Sequence, residues 1–431
     1  MGMITIIHVI QPGDTVTSIA DQYGISRDWL ILENGITDPD DIVAGDTFVI
    51  LFPEITHTIV NGDTLEDIAA QYNVSVMEIL RNNSHLGDQE YLNIGDTIVI
   101  KYEGSKKPPL TVNGYTYSFI DINILRKTLP YLTYLTIYSY RILQNGELVD
   151  IDDTEIIEIT KAYGVAPIML LTFFDEDRRS PSEIIHNILI DVNIQNRLID
   201  NTIDALNTKG YYGLSFDYIY VYPYDRQRYL NFMTQLITRV RDEGFLVLST
   251  IIPTSFELIS ESLIVYEYSE VINQMTDASV LFPNEVGMTL GAPVGSISMD
   301  LTRRIIEYAL DFIPAEKLLF GISTIGYIWE LPYEVGTSEG HAISNYSAVQ
   351  YAKDYDQTIE YDQATESAFF TLFQNSTEYV LRFKDARSIQ AYLQLVDEYN
   401  LSGIGIWSVT TFFHDFWLLI NSQYEIQKIP I

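Results

Sequence analysis

The residues of this chain that could carry chemistry are a few carboxylates near the ends of apolar, strand-like segments. Asp217 ends one such segment, and Asp225 and Glu285 fall on loops that we expect to neighbour it. A positioned carboxyl group can donate a proton to a leaving group. Side chains two residues apart in a strand point the same way, so Ile219 shares the face of Asp217. An aliphatic side chain cannot carry a proton. On this face of the strand, Asp217 is therefore the residue with a carboxyl group.

Other catalytic and metal chemistries have little support in the sequence. The chain has no cysteine, which excludes disulfides, thiol nucleophiles and thiolate metal sites. Its six histidines are scattered without the spacing of a metal site, and neither a Gly-x-Ser-x-Gly elbow nor a phosphate-binding loop occurs. We therefore expect no metal and no cofactor.

The charge of the chain limits its partners. The 59 acidic residues outnumber the 25 basic residues, and the net charge is −34. Such a protein repels phosphate backbones and anionic lipid surfaces, so we expect neither nucleic acid nor membrane as a partner. Neutral ligands such as sugars remain open. No apolar run approaches the ~18 residues of a membrane span, and we expect no export signal at the N-terminus.

An internal repeat occupies the N-terminal part of the chain. Residues 8–34 realign on residues 57–83 at a constant offset, and both copies contain Gly-Asp-Thr. Each copy has the pattern of a short strand, a turn, two short amphipathic helices and a closing strand. We predict one βααβ module at residues 5–51 and a second at 56–101, with Asp14 and Asp63 as helix N-caps.

These two units resemble the LysM module, whose groove binds the N-acetylglucosamine units of peptidoglycan or chitin. The resemblance implies that the groove lies between the turn after the first strand and the loop before the last strand. The residues at these positions are Gly13, Asp14, Thr15 and Ile42 in the first unit and Gly62, Asp63, Thr64 and Leu92 in the second. Gly-Asp-Thr is also ordinary turn and cap chemistry, and the two interpretations are compatible. Two linked modules would gain affinity for a repeating polymer from their effective concentration.

The remainder of the chain is predicted to be an α/β protein with a TIM (β/α)8 barrel. Residues 102–114 have the composition of a linker, and we assign the barrel to residues 115–431. Apolar runs alternate with amphipathic helical segments. The predicted strands begin at Tyr117, Tyr134, Pro167, Gly213, Leu246, Ala278, Lys317 and Gly403. We predict a small α+β insertion at about 328–395, between the last two strands. An open, doubly wound sheet is the alternative, but no Gly-rich phosphate loop follows the first strand.

In its barrel part the chain resembles glycoside hydrolase family 18, through residues 305–333, 380–407 and 416–428. In that family the acetamido oxygen of the sugar attacks its own anomeric carbon while a Glu protonates the leaving oxygen. The family pattern Asp-x-x-Asp-x-Asp-x-Glu falls on Tyr212, Ser215, Asp217 and Ile219. The resemblance therefore implies that Asp217 remains to orient an acetamide and that the general acid is replaced by Ile219.

Functional groups of such barrels lie at the carboxyl ends of the strands. At the sixth strand the resemblance implies that Asn284 replaces a tyrosine that holds the acetamide and that Glu285 keeps a carboxylate. At the eighth strand Trp407 matches the aromatic floor of the family's innermost sugar pocket. A role of Trp407 in core packing is the alternative.

The sequence therefore predicts a catalytically inactive, family 18-like protein that binds polymers containing N-acetylglucosamine. The resemblance extends to bacterial spore-peptidoglycan glucosaminidases with two LysM modules. It implies a structural component of the spore envelope, made in the mother-cell cytoplasm and deposited on the spore surface or coat. Its expected partners are peptidoglycan or chitin-type glycan, and other spore-envelope proteins or copies of itself.

Two alternatives stay open. One is an active N-acetylglucosaminidase of spore-cortex peptidoglycan with a displaced acid, for which Asp225 and Glu285 are the candidates. The other is a self-assembling scaffold that does not bind glycan.

Overall fold

Two βααβ modules form the N-terminal part of the computed structural model, which describes residues 5–88, 91–173, 181–217, 221–251, 275–283, 298–334 and 337–431. The first module consists of β1 (Ile6–Val9), α1 (Val16–Tyr23), α2 (Arg27–Asn34) and β2 (Thr47–Ile50). The second consists of β3 (Pro53–Thr58), α3 (Leu65–Tyr72), α4 (Val76–Asn82), a 3-10 helix (Ser84–Asp88) and β4 (Thr97–Tyr102). In each module the two strands pair antiparallel, as the repeat predicts.

A threonine caps the N-terminus of the first helix of each module. The hydroxyl of Thr15 accepts a hydrogen bond from the Ser18 amide at 3.0 Å, and Thr64 caps α3 in the same way. The prediction of Asp14 and Asp63 as N-caps is therefore wrong by one residue. Each aspartate instead accepts a backbone hydrogen bond within the turn that precedes the helix, so its carboxylate is already engaged.

Strands and helices alternate through the rest of the chain. The strands are β5 (Lys107–Tyr117), β6 (Tyr134–Ile142), β7 (Leu148–Val149), β8 (Ala166–Thr172), β9 (Gly213–Asp217), β10 (Leu246–Ile251), β11 (Ala278–Leu281), β12 (Leu318–Ser323), β13 (Ile325–Leu331), β14 (His341–Ser344), β15 (Glu360–Asp362), β16 (Ser367–Gln374), β17 (Thr377–Phe383), β18 (Gly403–Trp407) and β19 (Tyr424–Ile426). The helices are α5 (Ile122–Thr128), α6 (Thr154–Ala162), α7 (Pro181–Leu189), α8 (Val192–Lys209), α9 (Arg226–Asp242), α10 (Met299–Leu310), α11 (Asn345–Asp354), α12 (Ala386–Glu398) and α13 (His414–Gln423). Further 3-10 turns lie at Leu129–Tyr131, Pro223–Asp225 and Ala315–Lys317.

Eight of these strands close into a parallel barrel. Their order is β5, β6, β8, β9, β10, β11, β12 and β18, and β18 pairs with β5 to complete the ring. β8 and β12 are buried along their whole length, as expected for parallel strands that are covered on both faces. The predicted closed barrel is confirmed. Within the described ranges, no helix is both long and apolar enough to cross a membrane.

The first barrel strand begins earlier than predicted. β5 covers Lys107–Tyr117, so most of the segment assigned to a linker at residues 102–114 is strand, and the strand predicted from Tyr117 ends there. Two adjacent prolines, Pro108 and Pro109, gave this segment the composition of a linker. Proline is tolerated at the start of a strand and at irregular pairings, and the pairing of β5 with β19 shifts register at this point.

The insertion between the seventh and eighth barrel strands is a five-stranded antiparallel sheet in the order β14, β13, β17, β16 and β15. α11 packs on this sheet through Ala348 and Ala352. The predicted range of about 328–395 extends too far, because the sheet runs from Ile325 to Phe383. α12 follows it and packs into the barrel core through its apolar face.

The first module is bonded to the barrel part of the chain by backbone groups of its last loop. The Ile359 amide donates to the Ala44 carbonyl at 2.9 Å, and the Arg387 guanidinium donates to the Gly45 carbonyl at 3.0 Å. These bonds join a loop of the module to the insertion and to α12. The module and the barrel therefore share an interface made by segments that are far apart in sequence.

Three carboxyl groups lie where the first module meets the rest of the chain, with Glu33 buried and Asp46 and Asp415 partly buried. Burial raises the pKa of Asp46 to about 7 and that of Glu33 to about 8. Burial and neighbouring carboxylates hold the pKa of Asp415 well above its usual value, although Thr47 donates a hydrogen bond to it at 3.1 Å. The folded protein thus holds these protons more tightly than the unfolded chain. Their contribution to stability is complete below about pH 4, the usual carboxyl pKa, and is lost as the pH rises through about 7 to 8.

We expect the free energy of unfolding to fall between about pH 5 and pH 8, and Asp46→Asn to remove part of this fall. A pKa unit corresponds to about 1.4 kcal/mol, and solvent screening reduces the full effect, so the variant should gain roughly 1–2 kcal/mol over the native protein at the higher pH. Urea unfolding at the two pH values measures the difference. The matched control is Asp96→Asn, the exposed equivalent in the second module, which should follow the native pH dependence. An unchanged pH dependence in Asp46→Asn would contradict the assignment.

Candidate functional site

Asp217 lies at the carboxyl end of β9, at the mouth of the barrel. Thr250 of β10 lies opposite it in register and donates a hydrogen bond to its carboxylate. The Tyr115 hydroxyl lies 2.9 Å from the Thr250 hydroxyl. A threonine hydroxyl has one proton, so when Asp217 is ionised and accepts from Thr250, Thr250 must accept from Tyr115. In this state a chain of hydrogen bonds runs from Tyr115 through Thr250 to Asp217.

The surroundings of Asp217 make it an unusually weak acid. Burial raises its pKa to about 7, against the opposing effect of the bond from Thr250. Tyr138 lies close by, and its pKa rises to about 12 through burial and through the charge of Asp217. A carboxyl group that titrates near neutral pH can donate a hydrogen bond to a carbonyl oxygen or accept one from an amide. This donor and acceptor capacity suits an amide-bearing ligand.

An aromatic surface extends from Trp407 at the end of β18. The Trp407 ring centroid lies 5.6 Å from that of Tyr115, 5.4 Å from Tyr138 and 5.9 Å from Tyr117. Tyr117 in turn stacks on Phe119 at 5.1 Å, and Phe119 is 78% exposed. Trp407 itself is only partly buried. The rings form a path from the end of the barrel to solvent, where the apolar face of a sugar ring can stack.

Three predicted site residues, Ile219, Asn284 and Glu285, lie outside the described residues. The strand before Asn284 ends at Leu281, and the next residue, Phe282, is buried with its ring 5.6 Å from that of Tyr115. Ser215, at a carboxylate position of the motif, is fully buried in β9, and its hydroxyl has no hydrogen-bond partner among the described residues. Asp217 and Trp407 are thus the predicted barrel residues that the structure brings to one mouth, through their shared neighbours Tyr115 and Tyr138.

Asp225, a candidate for a displaced acid, is fully buried. One carboxylate oxygen lies 2.5 Å from His186 Nδ1, and the other accepts from Arg228 at 3.0 Å. Both oxygens are engaged with cationic or polar groups inside the protein. The geometry does not leave Asp225 free to protonate a ligand.

In the first module, the Gly13, Asp14 and Thr15 turn lies at the surface and is tied to the strand before it. His8 Nε2 lies 3.2 Å from the Asp14 carboxylate, and His8 Nδ1 lies 3.0 Å from the Tyr23 hydroxyl. A carboxylate only accepts hydrogen bonds, so Nε2 donates to Asp14, and Nδ1 on the other side of the ring is paired with the Tyr23 hydroxyl. The histidine thereby joins the turn to the end of α1.

The second module repeats this arrangement. His57 Nε2 lies 2.8 Å from the Asp63 carboxylate, and His57 Nδ1 lies 3.1 Å from the Tyr72 hydroxyl. The turn of Gly62, Asp63 and Thr64 is therefore fixed in the same way as its counterpart. The repeat in the sequence could have revealed this cluster, since its histidine, aspartate and tyrosine all recur at the same offset. In the part of the chain that is described, no group of three or more His, Asp or Glu is arranged to hold a metal ion.

Comparison with known proteins identifies the family of the two N-terminal modules and the family of the barrel. The LysM domain profile matches residues 8–50 and 57–101, and the profile of glycosyl hydrolases family 18 matches residues 182–411. The chain is 30% identical over 430 residues to the cortical fragment-lytic enzyme of Bacillus subtilis (strain 168), an alignment that covers 98% of this chain and 99% of that enzyme. The chain belongs to glycoside hydrolase family 18.

The similarity to known proteins extends over the LysM modules as well as the barrel. The cortical fragment-lytic enzyme of Bacillus anthracis is 27% identical over 434 residues, which cover 99% of this chain and all of that one. The crystal structure of the spore cortex-lytic enzyme SleL of Bacillus megaterium QM B1551 superposes with a TM-score of 0.81 at 26% identity, over 99% of this chain and 100% of that one. The arrangement of two LysM modules before a family 18 barrel is therefore shared with spore cortex-lytic enzymes.

The hydrogen bond from Thr250 should lower the pKa of Asp217, because it stabilises the ionised carboxylate. A hydrogen bond to a charged group contributes about 1.5 kcal/mol, so Thr250→Val should raise the pKa of Asp217 by about one unit. The variant also leaves the buried Tyr115 hydroxyl without its partner, which should cost about 1–3 kcal/mol of stability. Carbon-13 NMR of the Asp217 carboxyl group across a pH titration measures the first effect. Thr250→Ser keeps the hydroxyl and should match the native titration. An unshifted titration in Thr250→Val would exclude the proposed hydrogen-bond chain.

Proposed function

We propose that this family 18 protein binds glycan containing N-acetylglucosamine at its barrel mouth and through its LysM modules, and that it does not cleave the glycan. The observation that carries the proposal is the pair Asp217 and Ile219 in the sequence motif of the family. Asp217 keeps the position that orients an acetamide, whereas Ile219 occupies the position of the proton donor.

The barrel mouth has the chemistry that such a ligand requires. Asp217, whose pKa is raised to about 7, can exchange hydrogen bonds with an acetamido group. Trp407 and the exposed Phe119 offer aromatic faces beside it. Sugar rings bind such sites through their apolar faces and a few placed polar groups. The net charge of −34 also favours a neutral ligand over an anionic one.

The absence of cleavage follows from the chemistry of the acid position. Ile219 cannot protonate a leaving oxygen, and Asp225 is committed to His186 and Arg228. Loss of a general acid typically lowers a rate about 10²–10⁴-fold. The changes at Ser215 and Asn284 further remove a carboxylate and a phenol that the family uses around the reacting acetamide.

The names of the relatives suggest where in the cell this protein binds glycan. Proteins that match this chain over nearly their whole length are named for lysis of cortical fragments and of the spore cortex. We propose that this protein is deposited on the developing spore and serves there as a structural, glycan-bound component of the envelope.

An active N-acetylglucosaminidase is the second candidate. It is favoured by the names of those relatives, which describe lytic enzymes. In such an enzyme the proton would come from a carboxyl group other than residue 219, and Glu285 is the remaining candidate from the sequence.

The deciding measurement is the release of reducing ends from spore-cortex peptidoglycan fragments by the native protein and by Ile219→Glu. We expect no release above background from the native protein. Ile219→Glu should raise the rate by about 10²–10⁴-fold if the cleft has lost only its proton donor. Asp217→Asn in the Ile219→Glu background should abolish the gain, because the acetamide loses its orienting carboxylate.

Turnover by the native protein would overturn the inactive assignment, and Glu285→Gln would then test the substitute acid. Binding is measured separately, by quenching of tryptophan fluorescence on addition of N-acetylglucosamine oligomers. Trp407→Phe is the control for a signal that arises at the barrel mouth. A protein that neither binds these oligomers nor is retained on cortex fragments would contradict the glycan-binding function and favour a scaffold.

A further inference from the structure

The two LysM modules differ in the exposure of one wall of their expected grooves. That wall is the loop before the last strand, and the Gly-Asp-Thr sequence at its end occurs in both modules. In the first module Val43 is 7% exposed and Thr47 is 3% exposed. In the second module the equivalent residues Asn93 and Thr97 are exposed. The same loop is therefore covered in one copy and open in the other.

The glycines of the two loops show what covers the first one. Gly45 and Gly95 have the same left-handed backbone, with φ of 85° and 97°. A Cβ atom on Gly45 would overlap the backbone of Ile359 in the insertion, whereas no described atom lies within 4 Å of that position at Gly95. The identical turn is thus used as a contact surface in the first module and faces open space in the second.

Side chains reinforce the contact of the first loop. Lys353 Nζ, on α11 of the insertion, lies 3.1 Å from Asp38 and 3.2 Å from Asp41. Ile42, the predicted groove residue, lines a cavity of about 190 Å³ between this loop, the insertion and the start of α13. Part of the groove wall of the first module therefore lies in an interface with the insertion.

The second loop has the opposite character. Tyr91 is 75% exposed and Ile94 is 67% exposed, on either side of the predicted groove residue Leu92. The opposing turn of Gly62, Asp63 and Thr64 is also at the surface. Apolar side chains that flank a polar turn can hold the methyl group and ring face of an acetamido sugar.

We propose that the second LysM module is the glycan anchor of this protein and that the first is a fixed structural part of the barrel. This inference rests on the proposed glycan-binding function, and it specifies which module carries it. The anchor takes a neutral polymer of N-acetylated sugars between the turn at Gly62 and the loop at Leu92 and Ile94.

The two modules supply a matched pair of variants for the test. Gly13 and Gly62 are both exposed, have φ of 93° and 95°, and have no described atom within 4 Å of a Cβ position. Gly13→Val and Gly62→Val therefore impose the same backbone strain on equivalent turns. Thermal unfolding of both full-length variants checks that their stabilities match.

Binding of the N-acetylglucosamine hexamer to the full-length protein is measured by calorimetry. We expect Gly62→Val to weaken the affinity at least tenfold, which corresponds to about 1.4 kcal/mol, and Gly13→Val to change it less than twofold. Ile94→Asp, at the opposing wall, should act like Gly62→Val. Ile94 is 67% exposed and is not part of the core of the second module, so its substitution tests the groove without strain in the glycine turn.

Equal losses in Gly13→Val and Gly62→Val would overturn this inference and leave glycan binding intact. No loss in either variant, with a native protein that binds the hexamer, would assign the binding to the barrel and overturn the inference as well. Failure of the native protein to bind both the hexamer and cortex fragments would instead contradict the proposed function itself.

Discussion

Closure of the parallel strand ring is the constraint on which the rest of the structure depends. β5 pairs with β6 on one side and with β18 on the other, so the beginning and end of the barrel sequence are joined by backbone hydrogen bonds. Because all eight strands run in the same direction, their carboxyl ends meet at one mouth. This is why Tyr115 of the first strand, Asp217 of the fourth and Trp407 of the eighth lie within one connected cluster.

The pattern of the sequence was enough for most of the architecture, and the exceptions have physical causes. Strands from Tyr134 onwards begin within a residue of their predicted starts, because buried parallel strands are continuous apolar runs. The strand at Lys107–Tyr117 was missed because its prolines are typical of a linker, and a proline at a strand start can be recognised only from the pairing around it. The docking of the first module depends on contacts between residues some hundreds apart, which no local pattern contains.

The positions of Asp217 and Trp407 at the ends of barrel strands were predictable, but the chemistry around Asp217 was not. Asp217 and Trp407 could be selected from their positions at strand ends. The raised pKa of Asp217 could not, because it arises from burial beside Thr250, and Thr250 belongs to a different strand. The environment of Asp225 could not be predicted either. Its sequence position suggests an available acid, but in the structure its carboxylate is paired with His186 and Arg228.

The pairing of β19 with the beginning of β5 has a mechanical consequence. β5 is the strand by which the chain enters the barrel from the modules, and Tyr424 and Ile426 of β19 run parallel to it at Lys107 and Leu110. In a protein held by its modules to a solid polymer, this strand would carry load together with the bonds that join the first module to the insertion and to α12. A force along β5 would then act in shear on the hydrogen bonds to its parallel neighbours. These bonds would share the force, whereas in a peeling geometry they would break one after another. The junction between the modules and the barrel is thereby built to resist tension along the chain.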